Sequence, residues 1–380
     1  MKILFITDNF LPHIGGSRVY SYNICKNLPQ GSVVVLTRAM PGAKEFDSQQ
    51  GFKIYRINLT KYEIFRYLTL FINGLFIGLK EKVSIIHCGE TLPTGLVGFI
   101  LSKILRVPYI IYTYSEEITT IAGLRTEGKI LRFVLKRAVK IVVTCSFVED
   151  LIIKLGATPG KTVKILPAVE NELLESGKAD FTDIKKNLGI EGKRLIITLG
   201  RLVKRKGHSQ VIKALPEVIK NFPNLVYLII GSGPEEAALR ELARNLDLSD
   251  YVLFHKDEGR LPKSAYYVAC DLFIMPNRVL AGGDTEGFGI VFWEAAALGK
   301  PVIGGNSGGV SDSIINGVTG ITVNSENIPE ISSALIKLLS DEAYAKSLGR
   351  AGMERVRSSP SWQDKAGQIY KLSEEIVCLN

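Results

Sequence analysis

Short, continuous apolar runs alternate with helical patterns along the whole chain, and they do so in two successive sets. Residues 2–7, 32–37, 53–57, 84–88, 109–113, 141–144 and 163–166 make the first set. Residues 195–199, 225–231, 252–255, 272–276, 301–304 and 321–323 make the second. A run that is apolar at every position is what a strand buried on both faces requires, and the helices between supply the cover. The rhythm therefore predicts an α/β chain of two doubly wound, Rossmann-like domains, which 380 residues are enough to build. Pro167 interrupts the pattern and places the junction at 166–171. Ligands of such sheets bind at the carboxyl ends of strands, so two domains facing each other would form one cleft.

An apolar content of 46% with 22% charged residues describes a foldable chain rather than a disordered one. Five scattered cysteines, at 25, 88, 145, 270 and 378, form no CxxC pair and fit a reducing, cytoplasmic setting. The opening MKILFITDNF is expected to be a strand rather than a signal peptide. Charge is unevenly placed. Residues 1–170 hold 22 Lys and Arg against 12 Asp and Glu, a balance of +10, while the remainder holds 25 against 26. An anionic partner is expected for the first half: a membrane surface or a phosphorylated acceptor. Nucleic acid is set aside, because no binding motif and no aromatic–basic interleaving occurs.

The most informative stretch is Glu286-Gly287-Phe288-Gly289-Ile290-Val291-Phe292-Trp293-Glu294-Ala295. Its two glycines let backbone approach a ligand, and the helix that follows offers unpaired N–H groups to hydroxyl or phosphate oxygens. Glu294 could also sit near a helix start simply because the dipole favours it. Gly200-Arg201-Leu202-Val203-Lys204-Arg205-Lys206-Gly207 follows a strand and precedes a helix. There Arg201 and Lys206 can converge on one diphosphate, unless the loop is only a solvated basic turn. Gly15-Gly16 opens onto a helix start suited to phosphate, without completing a dinucleotide fingerprint. Gly231-Ser232-Gly233-Pro234 and the glycine loop at 304–309 are either structural turns or ligand-lining backbone. With no DxD pair and no metal spacing among four histidines, a metal-free site without cofactor is expected.

Two helices bear on membranes. In 127–140, Lys129, Arg132, Lys136 and Lys140 fall on one stripe, opposite Ile130, Leu131, Val134, Leu135 and Ala138. The stripe is either an ordinary solvated face or a contact for anionic lipid. Between Arg66 and Lys80 lie 13 uncharged residues, too few to span a bilayer and expected to form a buried or interfacial helix.

Taken together these motifs resemble glycosyltransferase family 4, the retaining enzymes of GT-B fold that include phosphatidylinositol mannosyltransferase-like and surface-glycan transferases. The resemblance rests on Gly15-Gly16, GRLVKRKG at 200–207, GSGP at 231–234, EGFGIVFWEA at 286–295, Pro301-Val302-Ile303 and Ser361-Trp362. It implies an acceptor domain over 1–168, completed by a crossover helix at about 361–380, and a donor domain over 169–360. It implies that Arg201 and Lys206 bind the donor diphosphate, that Glu286 contacts the sugar and that Glu294 holds the ribose. Backbone of Gly287, Phe288, Gly289 and Ile290 would line the donor, with Gly15, Gly16 and Tyr114 on the other domain. The family often carries a histidine after the strand ending at Thr113; here Tyr114-Ser115-Glu116-Glu117 stands instead, and the histidine's contact does not carry over.

The expected reaction is hexose transfer from a UDP- or GDP-sugar to a polyprenyl-linked, phospholipid or glycan acceptor, with retention and without metal. The expected setting is the cytoplasm, including the inner face of the membrane. Three alternatives stay open: a sugar-nucleotide epimerase, a non-catalytic sugar-nucleotide-binding subunit and a transferase acting on a soluble acceptor.

Overall fold

A computed structural model describes residues 1–13, 15–60, 62–176, 183–256 and 261–379. They divide into two compact units, Met1–Pro167 with Pro360–Asn380, and Ala168–Ser359. The first unit contains β1 (Ile3–Ile6), β2 (Val33–Arg38), β3 (Lys53–Ile57), β4 (Ile85–Cys88), β5 (Tyr109–Thr113), β6 (Lys140–Val143) and β7 (Thr162–Lys164). They pair in the order β3-β2-β1-β4-β5-β6-β7, parallel throughout. Ile3, Leu4, Phe5 and Ile6 are fully buried, as are Val34, Val35 and Leu36 beside them. Both faces of these strands are covered by helices, which is why no polar alternation marks them.

The second unit contains β8 (Arg194–Leu199), β9 (Leu225–Ile230), β10 (Val252–His255), β11 (Leu272–Met275), β12 (Val302–Gly305) and β13 (Ile321–Val323). Their order is β10-β9-β8-β11-β12-β13, again all parallel. Its core joins Ile196, Tyr227 and Ile274 of the sheet to Val211, Leu215 and Leu335 of the covering helices.

The last helix, Trp362–Cys378, belongs to the first unit. Ser361 starts it with reciprocal bonds: its hydroxyl accepts the Asp364 N–H at 3.2 Å, and the Asp364 carboxylate accepts its N–H at 2.8 Å. Trp362 then packs edge-on against Tyr20 at 5.3 Å, and Ser373 Oγ lies 3.0 Å from His87 Nε2 on β4.

Two helices differ from the expected ranges in ways that matter. The helix read as 127–140 is Glu127–Arg137, so Lys140 leaves the basic stripe and joins β6, where its ammonium donates to the Gly160 carbonyl. The sequence pattern predicts a helix over 234–246 with Leu239, Leu242 and Leu246 on one side; the helix is Glu236–Asn245 and buries Leu239, but Leu246 lies beyond its end and is exposed. Among the described residues, no helix is long and apolar enough to cross a membrane.

Candidate active site

In the second unit the chain order reverses between β8 and β11, the position where doubly wound sheets bind ligands. The loops leaving β8, β9, β11 and β12 carry the motifs. After β8, a short turn Lys204–Lys206 leads to Gly207 at φ 75°, which heads the helix His208–Asn221. A Cβ on Gly207 would stand 2.0 Å from the Pro276 carbonyl oxygen, so only glycine lets this loop lie on the exit from β11.

That approach brings Lys206 Nζ to 2.6 Å from Glu286 Oε2, with the side chains 12% and 13% exposed. Beside them Arg205 Nη1 reaches Asp284 Oδ1 at 3.2 Å. Burial on its own would raise the Glu286 carboxyl. The charges of Lys206 and Arg205, the Lys206 hydrogen bond and the Gly289 N–H outweigh it and hold the group below the usual carboxylate range. Arg201 is exposed at the same strand end. Its carbonyl lies 3.3 Å from His208 Nε2, which places that ring's proton on Nε2, and burial pushes His208 down to about 4. The buried imidazole is therefore a neutral brace for the Arg201 backbone, one that sequence reading did not single out.

Gly289, at φ 74°, opens the helix Ile290–Ala297. Gly287 and Ile290 are half-buried, whereas Phe288 is buried edge-on against Trp293 at 5.1 Å and presents only backbone. Glu294, one turn along, accepts a hydrogen bond from the Tyr267 hydroxyl at 2.7 Å, and Lys263 Nζ stands 3.7 Å from its other oxygen. Tyr267 thereby keeps its proton, raised well above the ordinary phenol range by burial and by Glu294.

The two glycine loops left open by sequence have structural jobs here. Buried Asn277 donates to Ser307 Oγ at 2.8 Å and accepts the Gly305 N–H at 3.0 Å, which fixes the 304–309 loop. Gly308, at φ 59°, lies so near that a Cβ would be 2.1 Å from the Glu286 carbonyl oxygen, and the Gly309 N–H donates to that oxygen at 3.0 Å. The loop thus braces the backbone of Glu286. A Cβ on Gly231 or Gly233 would fall 2.2 Å from the Gly200 oxygen or 2.4 Å from the Leu202 oxygen, so GSGP seats against GRLV.

In the first unit the reversal lies between β1 and β4. Gly15 precedes the helix Gly16–Asn27 in extended conformation, and nothing stands within 4 Å of where a Cβ on Gly16 would be. Its first amides can therefore be approached. Tyr114, after β5, turns its hydroxyl to within 3.1 Å of Ser21 Oγ and its ring edge-on to Tyr20 at 5.9 Å. Glu90, missed in the sequence reading, is buried at the end of β4 and accepts the Asp8 and Asn9 amides at 3.2 and 3.1 Å. Burial pushes it up to about 7 despite the Thr7 bond, and burial with the nearby Glu90 charge also raises Glu117. Its signal was a lone acid at a strand's carboxyl end, in Gly89-Glu90-Thr91.

Comparison with known proteins gives concordant results. The Glycosyltransferase Family 4 model matches residues 14–173, and the Glycosyl transferases group 1 model matches residues 180–355. Crystal structures of Anabaena HepE, with UDP and with UDP and glucose, superpose with a TM-score of 0.84 at 19% and 20% identity, over 99% of this chain and 100% of that one. The GDP-mannose-dependent alpha-(1-6)-phosphatidylinositol monomannoside mannosyltransferase of Mycolicibacterium smegmatis is 24% identical over 379 residues, 97% of both chains. Its monoacylated-substrate counterpart in Corynebacterium glutamicum is 40% identical over 189 residues, 48% of each. Fold and motifs define a GT-B glycosyltransferase that uses a nucleotide-sugar donor. The chain carries a Glycosyltransferase Family 4 domain followed by a Glycosyl transferases group 1 domain.

Proposed function

We propose that the enzyme transfers a hexose from a nucleoside diphosphate sugar to a lipid-linked or glycan acceptor, with retention and without a metal. The observation that carries this reading is the Lys206–Glu286 pair. It holds a cation and a carboxylate at 2.6 Å on two loops at one strand-end reversal, with Arg201 exposed at the same strand end. In the proposal Lys206 and Arg201 take the donor diphosphate, Glu286 accepts sugar hydroxyls, and the amides of Gly287 to Ile290 meet sugar and phosphate. Glu294, oriented by Tyr267, holds the ribose. Charge develops on the departing phosphate oxygen as the anomeric C–O bond breaks, and preorganised cations and amides lower that barrier. The acceptor hydroxyl attacks the same face, forms the new C–O bond and gives its proton to the leaving phosphate, which is how configuration is retained.

The relatives named as GDP-mannose-dependent make GDP-mannose the first donor to test, with UDP-glucose the second, as HepE was crystallised with UDP and glucose. Donor binding is tested by the melting shift each nucleotide sugar produces, since a ligand of the folded state alone raises the midpoint. Turnover of Arg201→Ala and Lys206→Ala tests the charge assignment. Each should lose about a hundredfold or more, by analogy with oxyanion donors. Near-normal turnover in both variants would overturn it. Anomeric proton couplings in the product report retention, and unchanged turnover in chelator supports the metal-free reading.

A further inference from the structure

The helix Glu63–Lys80 is apolar on two sides. One side packs inward through Leu70 and Ile77, and Gly74 and Gly78 let it lie close to the helix Thr94–Leu105. Cβ atoms on those glycines would fall 2.7 Å from Leu101 and 2.6 Å from Leu105. The opposite side is turned to water and carries Ile64, Phe65, Leu68, Ile72, Phe76 and Leu79, each between 49% and 80% exposed. Ile100 and Ile104 extend this face, and Phe133 of the helix Glu127–Arg137 adjoins it, 5.0 Å from Phe99. A groove of about 390 Å³ runs among Tyr67, Leu68, Phe71, Ile100 and Ile130, and Glu127 is the one charged residue lining it. Contiguous apolar surface of this extent marks an interaction site.

Its charges indicate the partner. Lys80 Nζ lies 5.7 Å from the Phe76 ring, Lys103 Nζ 6.0 Å from Phe99 and Arg137 5.4 Å from Phe133. Lys129, Arg132 and Lys136 are exposed on the same helix as Phe133. The acid that follows Lys80, Glu81, is engaged by Lys53 and Tyr55. A second copy would set these cations against their like, which opposes self-association. The helix does not meet the length and apolarity needed to cross a bilayer. An apolar stripe edged with Lys and Arg suits one surface, the headgroup boundary of an anionic bilayer.

We propose that this face docks the protein on an anionic phospholipid surface, with Ile72 and Phe76 at the centre of the inserted side and Lys80, Lys103 and Arg137 on lipid phosphates. The inference deepens the reading of a lipid-linked acceptor and relies on it only for the use made of the surface. Of the two readings open for the segment between Arg66 and Lys80, buried or interfacial, it takes the interfacial one, with the helix Glu127–Arg137 as a basic flank.

The test is co-sedimentation of the full chain, without donor, with phosphatidylcholine vesicles and with vesicles half phosphatidylglycerol. The protein should sediment with the anionic vesicles and less so at high salt. An Ile72→Asp, Phe76→Asp variant should lose about tenfold or more of that partitioning. Both side chains are exposed, so its melting midpoint should not change. As a second readout, Ile72→Trp should show blue-shifted fluorescence on anionic vesicles only. No sedimentation, equal sedimentation with neutral vesicles, or an unaffected double Asp variant would overturn the proposal. So would a wild-type dimer that the double variant dissolves, which would assign the face to a second copy. Loss of the nucleotide-sugar melting shift with vesicle binding intact would count against the donor reading and leave this one standing.

Discussion

At the scale of single residues, the site turns on one nearly buried ion pair. Lys206 lowers the Glu286 carboxyl against the opposing effect of burial, so the pair stabilises the fold only while the acid is charged. A carboxyl whose folded value lies below its ordinary one adds stability above that ordinary value, and the stability is lost as pH falls through the folded value. Wild-type enzyme should therefore lose more stability than Lys206→Met between about pH 5 and pH 3, as read from denaturant melts at each pH. At neutral pH the variant should be less stable by on the order of 2 kcal/mol, because Glu286 keeps its burial and loses its nearest cation. Equal acid sensitivity in the two proteins would show that the pair does not control the Glu286 charge.

At the scale of elements, glycines separate into those that build the site and those that leave room for a ligand. Gly308 is a builder: its φ of 59° and a Cβ position 2.1 Å from the Glu286 oxygen leave alanine no place. Gly308→Ala should lower stability by roughly 2 kcal/mol or more, as a left-handed and crowded position requires. Gly16 is the opposite case, since a methyl there meets nothing within 4 Å and alanine favours a helical first turn. Gly16→Ala should melt at or above the wild-type temperature yet lose turnover, because the methyl stands where a ligand would approach the helix amides. Normal turnover in that variant would remove Gly16 from the site.

The same contrast shows what sequence could reveal. All thirteen strands described were legible: the central ones because a strand covered on both faces is apolar nearly throughout, the edge strands Lys53–Ile57 and Thr162–Lys164 less sharply, since their half-covered positions admit Lys, Arg and Thr. The approach of Lys206 to Glu286 was legible because glycines at fixed distances from strand ends mark turns. The bracing roles of Asn277, His208 and the 304–309 loop were not, since they join segments 30 or fewer residues apart only through contacts across strand ends. The outward face of Glu63–Lys80 was hidden for a simpler reason. Its apolar residues lie on two sides of one helix, and the pattern alone does not say which of the two meets water.

At the scale of the whole molecule, the chain completes its first unit last. The helix Trp362–Cys378 returns to cover Tyr20 and meets buried His87, so residues 1–167 lack part of their own core. The second unit, by contrast, is continuous in sequence, and a 168–359 fragment should unfold cooperatively and retain the nucleotide-sugar melting shift, while 1–167 should not fold stably alone. The link between the closing helix and the end of the first segment is Lys365, whose ammonium donates to the Pro167 carbonyl at 2.6 Å while buried. Burial, partly offset by Asp364, pushes this lysine down to about 8 from 10.5. A base depressed in the folded state disfavours folding while it is protonated, so stability should climb as pH rises from about 8 toward 10.5. That climb, about 3 kcal/mol over the whole window, should be absent from Lys365→Met. Calorimetric melts of both proteins at about pH 7.5 and about pH 10.5, which bracket that window, decide it: parallel curves would mean that Lys365 stays charged in the folded protein, and that the Pro167 carbonyl is sufficient to hold it so.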